Sequence, residues 1–221
     1  MLIDLSHRIY QGMRPYPGLA SPSIDVTVSR EASAARLAPG VSFEISTVCM
    51  VANTGTYIDA PFHYFADGPD VADLRLEQFA NLPIVVIDAR SGRAIAESLL
   101  GPSPEIQGIA VLFRTDWSRH WGTPEYEVGS PFLTPELVQR LIEARPALVG
   151  IDALNVDDIH DPGRPAHHGL LGADIPIVEH LTNLALLPRR GARLTVAPAP
   201  ISGMGTMPVR AFAVTEASDA N

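Results

Sequence analysis

Ile84-Val-Val-Ile87 and Ile109-Ala-Val-Leu-Phe113 are unbroken apolar runs of strand length. Such runs belong to strands covered on both faces, the setting of parallel strands in α/β folds. With their flanks they predict strands over Pro83–Ala89 and Ile109–Thr115. Shorter β-type runs surround them. Leu2–His7, Ser23–Arg30 (Ile24, Val26 and Val28 alternating) and Phe43–Ala52 precede; Ala147–Ala153, Arg193–Ala197 and Pro208–Val214 follow. The clearest helix signal is Pro135–Ala144. Thr134 suits the N-cap, Pro135 the first helical position and Glu136 the N-terminal dipole. Leu137, Val138, Leu141 and Ile142 make one apolar stripe, which Pro146 ends. Further helices are predicted over Ile177–Leu187 and Ala94–Leu100. Strands outnumber helices and the helices come late, so the pattern predicts a mixed α/β fold rather than a regular βαβ array. One domain is expected over residues 1–215, with a frayed polar tail at 216–221.

Composition narrows the chemistry. The chain has 221 residues, 46% hydrophobic and 19% charged, enough for a real core. Its net charge of −9 comes from 25 acidic and 16 basic residues, and all 16 are arginine. Without lysine there is neither Schiff-base catalysis nor a P-loop. An acidic chain with no basic stripe argues against nucleic acid as a partner. The single cysteine, Cys49, permits no internal disulfide; its small and apolar neighbours predict a buried spectator thiol. The opening residues do not read as a secretory signal, and no apolar run nears the roughly 18 residues that span a bilayer. A soluble, cytoplasmic protein without membrane association is expected.

Polar chemistry concentrates in two stretches. In Asn53-Thr-Gly-Thr-Tyr-Ile-Asp-Ala-Pro-Phe-His63, an extended chain would put Asn53, Gly55, Tyr57 and Asp59 on one face. Gly55 would open that face to a ligand, and Pro61 would send His63 elsewhere. The same letters also suit a turn and a strand exit. The second stretch, Asn155–His168, follows the strand at Leu148–Ile151, where α/β folds place reactive groups. Glu179 stands among Ile177, Val178 and Leu181, an apolar setting in which a carboxylate needs a partner. His7, His120 and His180 read as satisfied loop histidines.

Taken together, these segments resemble the cyclase family that includes bacterial kynurenine formamidase and isatin hydrolase. Where the family signature is His-x-Gly-Thr-His-x-Asp-x-Pro-x-His, this chain has Asn53-x-Gly55-Thr56-Tyr57-x-Asp59-x-Pro61-x-His63. Asp4-Leu-Ser, Leu112-Phe-Arg-Thr115 with Trp117 and Trp121, Val149-Gly-Ile-Asp152, and His167 through Glu179 to Leu184 extend the likeness over nearly the whole chain.

The resemblance implies mixed β-sheets flanked by helices, a swivelling β/β/α domain, and a homo-oligomer built on dimers. It implies a metal-dependent hydrolase of a small amide, lactam or lactone, with a small-molecule carbonyl substrate. Asp59, His167 and Glu179 would be metal ligands, with His63 as acid/base. The family's two early ligand histidines are replaced here by Asn53, a weak amide ligand, and Tyr57, a phenol of high pKa. One divalent ion, zinc or manganese, is therefore expected, with Tyr57 donating to a developing oxyanion. Trp117 and Trp121 stand as substrate-facing aromatics or as subunit-interface residues. The replacements also leave open a metal-free isomerase, dehydratase or cyclase, and an inactive small-molecule binder.

Overall fold

The computed structural model describes residues 1–14, 16, 18–102 and 105–215; the expected tail at 216–221 lies outside them. The strands are β1 (Leu2–Asp4), β2 (Ser23–Val28), β3 (Ile45–Cys49), β4 (Tyr57–Asp59), β5 (Leu82–Asp88) and β6 (Ala94–Ile95). β7 (Ala110–Arg114), β8 (Phe132–Leu133), β9 (Leu148–Ile151), β10 (Ile177–Glu179), β11 (Ala192–Pro198) and β12 (Thr206–Thr215) complete them. The helices are α1 (Arg30–Ala34), α2 (Pro135–Ala144) and α3 (Pro165–Gly172).

The main sheet runs β1-β12-β11-β5-β7-β9-β10-β4, and a further β12–β4 pairing closes seven of its strands into a ring. β5, β7, β9 and β10 are parallel to their neighbours in that order, while β4, β11 and β12 pair antiparallel. The apolar runs behave as their composition predicts. Ile84, Val86, Ala110 and Leu112 point into one core with Leu194 and Val196. Val85, Ile87, Val111 and Phe113 point the other way, against Leu137, Val138 and Leu141 of α2 and Leu170 and Leu171 of α3. Period-two alternation thus divides each run between the ring interior and the layer beneath the helices.

α2 has the predicted bounds. Thr134 accepts a hydrogen bond from the Leu137 N–H at 3.3 Å, and Arg145 ends the helix in the left-handed region (φ 50) just before Pro146. Leu141 is fully buried. Its truncation to alanine should cost about 2–5 kcal/mol.

Several local expectations are corrected. The segment from Ile177 is not a helix. β-branched Ile177 and Val178 join β9 as a parallel strand, and His180 (φ 57) and Asn183 (φ 58) turn the chain before a short 3-10 turn at Leu184–Leu186. Ala94–Leu100 is the two-residue strand β6 followed by a 3-10 turn. α3 lies where a polar loop was expected. Cys49 is exposed rather than buried, because the β2–β3 hairpin stands clear of both cores.

Candidate metal centre

β4 and β10 pair so that Glu179 faces Tyr57 and Ile177 faces Asp59 across the ladder. Period two sends Tyr57, Asp59 and Glu179 to the helix side of the sheet, while Ile58 and Val178 enter the ring core. α3 packs over this face. Asp157 sets its N-terminus, accepting from the Ala166 N–H at 2.6 Å and the His167 N–H at 3.0 Å. The same carboxylate bonds His167 Nδ1 at 2.7 Å. That contact orients the imidazole and leaves Nε2 aimed at the sheet, as in histidines that ligate metals.

Nε2 of His167 lies 3.8 Å from Asp59 Oδ2 and 3.7 Å from Glu179 Oε1. Ligand atoms of all three residues fall within 4.8 Å of one another, and all three side chains are buried. Glu179 is anchored: Tyr57 donates its hydroxyl hydrogen to Oε2 at 2.5 Å, and the Val156 N–H donates to Oε1 at 2.7 Å. Asp59 is not. Both of its oxygens are buried without a hydrogen-bond partner among the described residues.

The electrostatics follow from burial. Desolvation and the Glu179 charge push the Asp59 carboxyl well above the usual range, with His167 opposing. Burial also raises Glu179, against His167, Tyr57 and the Val156 N–H. Burial alone would keep His167 neutral, but its bond to Asp157 and the charges of Glu179 and Asp59 raise its pKa to about 9. A buried excess of carboxylate over imidazole is costly unless a cation neutralises it. The donor set fits a divalent ion. Ligand atoms about 2.0–2.2 Å from one ion sit roughly 3–4 Å apart, the range of both distances from His167 Nε2 to the carboxylates.

A cavity of about 220 Å³ opens beside the cluster, lined by residues that include Asn53, Tyr57, His63, Tyr64, Arg164 and His167. His63 sits at its solvent-facing side, its ring centroid 6.0 Å from that of His167. Desolvation and His167 lower its pKa, so it is neutral at neutral pH. His63 is placed by a close backbone approach: a Cβ on Gly205 would meet His63 Cα at 2.6 Å. Tyr64 stacks on His167 at 5.1 Å. Asn53 lines the cavity while its Oδ1 accepts from Thr206 Oγ1 at 3.2 Å.

Other expectations are redrawn. Only Tyr57–Asp59 of the early stretch is extended, and Gly55 (φ 69) faces Ile9 rather than a ligand: a Cβ there would meet Ile9 Cγ1 at 2.9 Å. The single hydrogen of the Tyr57 hydroxyl is engaged by Glu179, not turned to the cavity. Neither Trp117 nor Trp121 lines the cavity. Trp117 packs on the outer core and donates Nε1–H to the Tyr126 carbonyl; Trp121 stacks on His7 at 4.0 Å and meets Tyr126 and His180 edge-on. His180 is buried with both ring nitrogens unpartnered among the described residues, as is Nε2 of His7, so these two are not satisfied loop histidines. Asp157 and Arg164 went unremarked within the second polar stretch; Asp-x9-His at a helix start is the signal that would have found the first.

The ring sheet with two flanking helices and a buried histidine–carboxylate cluster define an α/β protein built to hold a cation beside a small pocket. A family model described as putative cyclase matches residues 3–158, and the chain belongs to the cyclase family. It is 31% identical to kynurenine formamidase of Bacillus cereus over 180 residues, 81% of each chain. It is 30% identical to kynurenine formamidase of Bacillus anthracis over 210 residues, 95% of each. Isatin hydrolase A from Labrenzia aggregata, solved with benzyl benzoate, superposes with a TM-score of 0.83 at 26% identity, covering 98% of this chain and 94% of that one. A structure described as a potential metal-dependent hydrolase with cyclase activity superposes at 0.78 with 25% identity, covering 96% of each.

Proposed function

We propose that the chain is a metal-dependent hydrolase of a small amide, lactam or lactone, its principal reaction the cleavage of C–N bonds outside peptides in the manner of its formamidase relatives. Asp59, His167 and Glu179 would hold one divalent ion, zinc or manganese, with Asn53 at the margin of the set. The observation that carries this reading is Asp59: a fully buried carboxylate with two unpartnered oxygens, facing an imidazole whose other nitrogen is already held.

A bound divalent ion supplies Lewis acidity and acidifies water. The chain's own residues do the rest. Neutral His63 accepts the proton of an attacking water and returns it to the leaving nitrogen. Tyr57 acts as a positioning residue, fixing Glu179 by its short hydrogen bond. Tyr64 shields His167, and burial raises its phenol to about 12, so it stays uncharged. A cavity of about 220 Å³ has the volume of roughly seven waters at ~30 Å³ each, room for a substrate of single-ring size.

The reading extends to a cytoplasmic homo-oligomer built on dimers. No helix among the described residues is long and apolar enough to cross a membrane. The β2–β3 hairpin exposes Ile24, Val26, Ile45 and Val48, and a two-stranded sheet without a core is marginal unless something covers it.

Metal analysis of untagged protein, joined to a screen of N-formyl aromatic amines, lactams and lactones with and without chelator, tests the proposal. One equivalent of zinc or manganese and chelator-sensitive turnover are expected. A metal-free protein that turns over carbonyl compounds regardless of chelator would move the reading to acid/base isomerisation, dehydration or ring closure.

A further inference from the structure

Arg164 is a cation in the wall of the pocket with no carboxylate partner among the described residues. Of the 16 arginines in the chain, it is the one that lines the cavity beside Tyr16, Tyr64 and His167. Its guanidinium contacts are all to neutral groups: Nη1 to Asn155 Oδ1 at 3.4 Å, Nη2 to the Ile159 carbonyl at 3.3 Å, and a hydrogen bond with the Tyr16 phenol. None is an ion pair, and three contacts do not exhaust the five-donor fork. The backbone is held in the left-handed region (φ 44) immediately before Pro165, an uncommon conformation for a residue other than glycine. Such conformations persist where the surrounding structure enforces them, and they collect at ligand sites. The cavity's other walls include the phenols of Tyr16, Tyr57 and Tyr64, the amides of Asn53 and Asn155, and the imidazoles of His63 and His167; its one carboxylate among the described residues, Glu179, is engaged by Tyr57 and the Val156 N–H.

We propose that Arg164 is a substrate-recognition residue, and that the ligand of this pocket carries a carboxylate in addition to the carbonyl group that reacts. The inference deepens the hydrolase reading and rests on the cavity being the substrate pocket. A planar carboxylate matches the guanidinium fork with paired N–H···O bonds, and the phenols of Tyr16 and Tyr64 flank the same space. The cavity volume holds the rest of the molecule to one ring. The small neutral amide is then the poorer ligand and the ring-borne acid the better one.

Benzoate and benzamide are a matched pair of probes, titrated by calorimetry into the full-length protein, because binding needs no turnover. A bound ion also attracts carboxylates, so the titration is repeated in Asp59→Asn. Wild type and D59N should each bind benzoate at least about tenfold more tightly than benzamide. R164Q should bring the ratio near one, and R164K should restore part of it, since charge returns without the fork. Circular dichroism checks that each variant is folded, and R119Q, altered outside the pocket, should keep the wild-type ratio. Equal affinities in wild type overturn the proposal. So does a preference that survives R164Q but vanishes in D59N, which assigns the carboxylate to the ion. Absence of hydrolysis with every formamide and lactam, while the Arg164-dependent preference stands, would instead sink the hydrolase reading and leave an acid-binding pocket.

Discussion

Tyr57 donates a 2.5 Å hydrogen bond to Glu179 directly across the β4–β10 ladder, at a position where the family signature carries a histidine. The phenol therefore ties down a carboxylate instead of offering a nitrogen to a cation. Burial and the neighbouring Glu179 and Asp59 charges push its pKa well above the ordinary value, which removes the phenolate form that would ligate. On the proposed reading, one half of a donor set is kept and a residue of the other half serves as its support.

Restoring the early histidines should rebuild what is missing. The double variant Asn53→His, Tyr57→His places two imidazoles beside Asp59 on the cavity side. Two equivalents of zinc or manganese are expected by elemental analysis, against one in the wild type. A stoichiometry that stays at one would show that residues 53 and 57 do not control a second site.

Asp157 governs His167 from behind. It receives the Nδ1 contact and two backbone N–H groups, so Asp157→Asn weakens the orientation of the ring and of the start of α3. Losing such an outer partner typically costs about 10–100-fold in metal affinity. Competition with a chromophoric chelator measures it. Unchanged affinity would mean that His167 is not a ligand.

The legibility of the chain was uneven for physical reasons. The doubly covered strands and α2 were plain, because unbroken apolar runs and a capped amphipathic stripe have few alternative readings. α3 was hidden inside Asp161-Pro-Gly-Arg-Pro-Ala-His-His, whose prolines and glycine spell a turn; only the helix-starting contacts of Asp157, distant by nine residues and more, reveal it. β10 looked helical because Ile177-Val-Glu-His-Leu also fits a helical stripe, and the left-handed turn at His180 is made without the glycine that usually announces one. Asp59, His167 and Glu179 were named from the resemblance, and their meeting in space is a product of the β4–β10 register and the docking of α3. The role of Tyr57 was not legible, since no spacing rule shows where a hydroxyl hydrogen points.

Asp59→Asn separates the ion from the fold. Wild type should be stabilised by metal, about 2.7 kcal/mol at 100 times Kd, and the variant should gain nothing. Without metal the variant should be at least as stable as wild type at pH 7, because it no longer buries an unpartnered ionisable oxygen pair. Thermal melts with and without zinc report both. The same melts carry a pH dependence. His167 must release a proton to ligate, and its pKa is raised to about 9, so metal affinity should climb as pH rises from 6 towards 9.

Gly205→Ala tests the placement of His63 without touching a ligand. The added methyl would press within 2.6 Å of His63 Cα, where backbone cannot yield cheaply. The variant should keep one equivalent of metal and lose at least about tenfold in kcat, a factor that corresponds to about 1.4 kcal/mol. Full activity would remove His63 from the acid/base role.

His7 should leave a signature in the acid stability of the protein. Its ring stacks on Trp121 at 4.0 Å, its Nε2 is buried without a partner among the described residues, and desolvation lowers its pKa from 6.5 to about 4. Between those two values the unfolded chain binds more protons than the folded one, so stability falls as pH drops from about 6.5 to 4. At pH 5 the loss attributable to His7 is about 1–2 kcal/mol, allowing for its partial exposure. The raised carboxyls of Asp59 and Glu179 act in the opposite sense, so the comparison must be made between proteins rather than between pH values. His7→Phe keeps the stack and removes the nitrogen. Urea melts at pH 7.5 and pH 5.0 should show the variant losing less stability than wild type on acidification, by that amount. Parallel losses would mean that the imidazole finds a partner in the folded protein and that its burial carries no penalty.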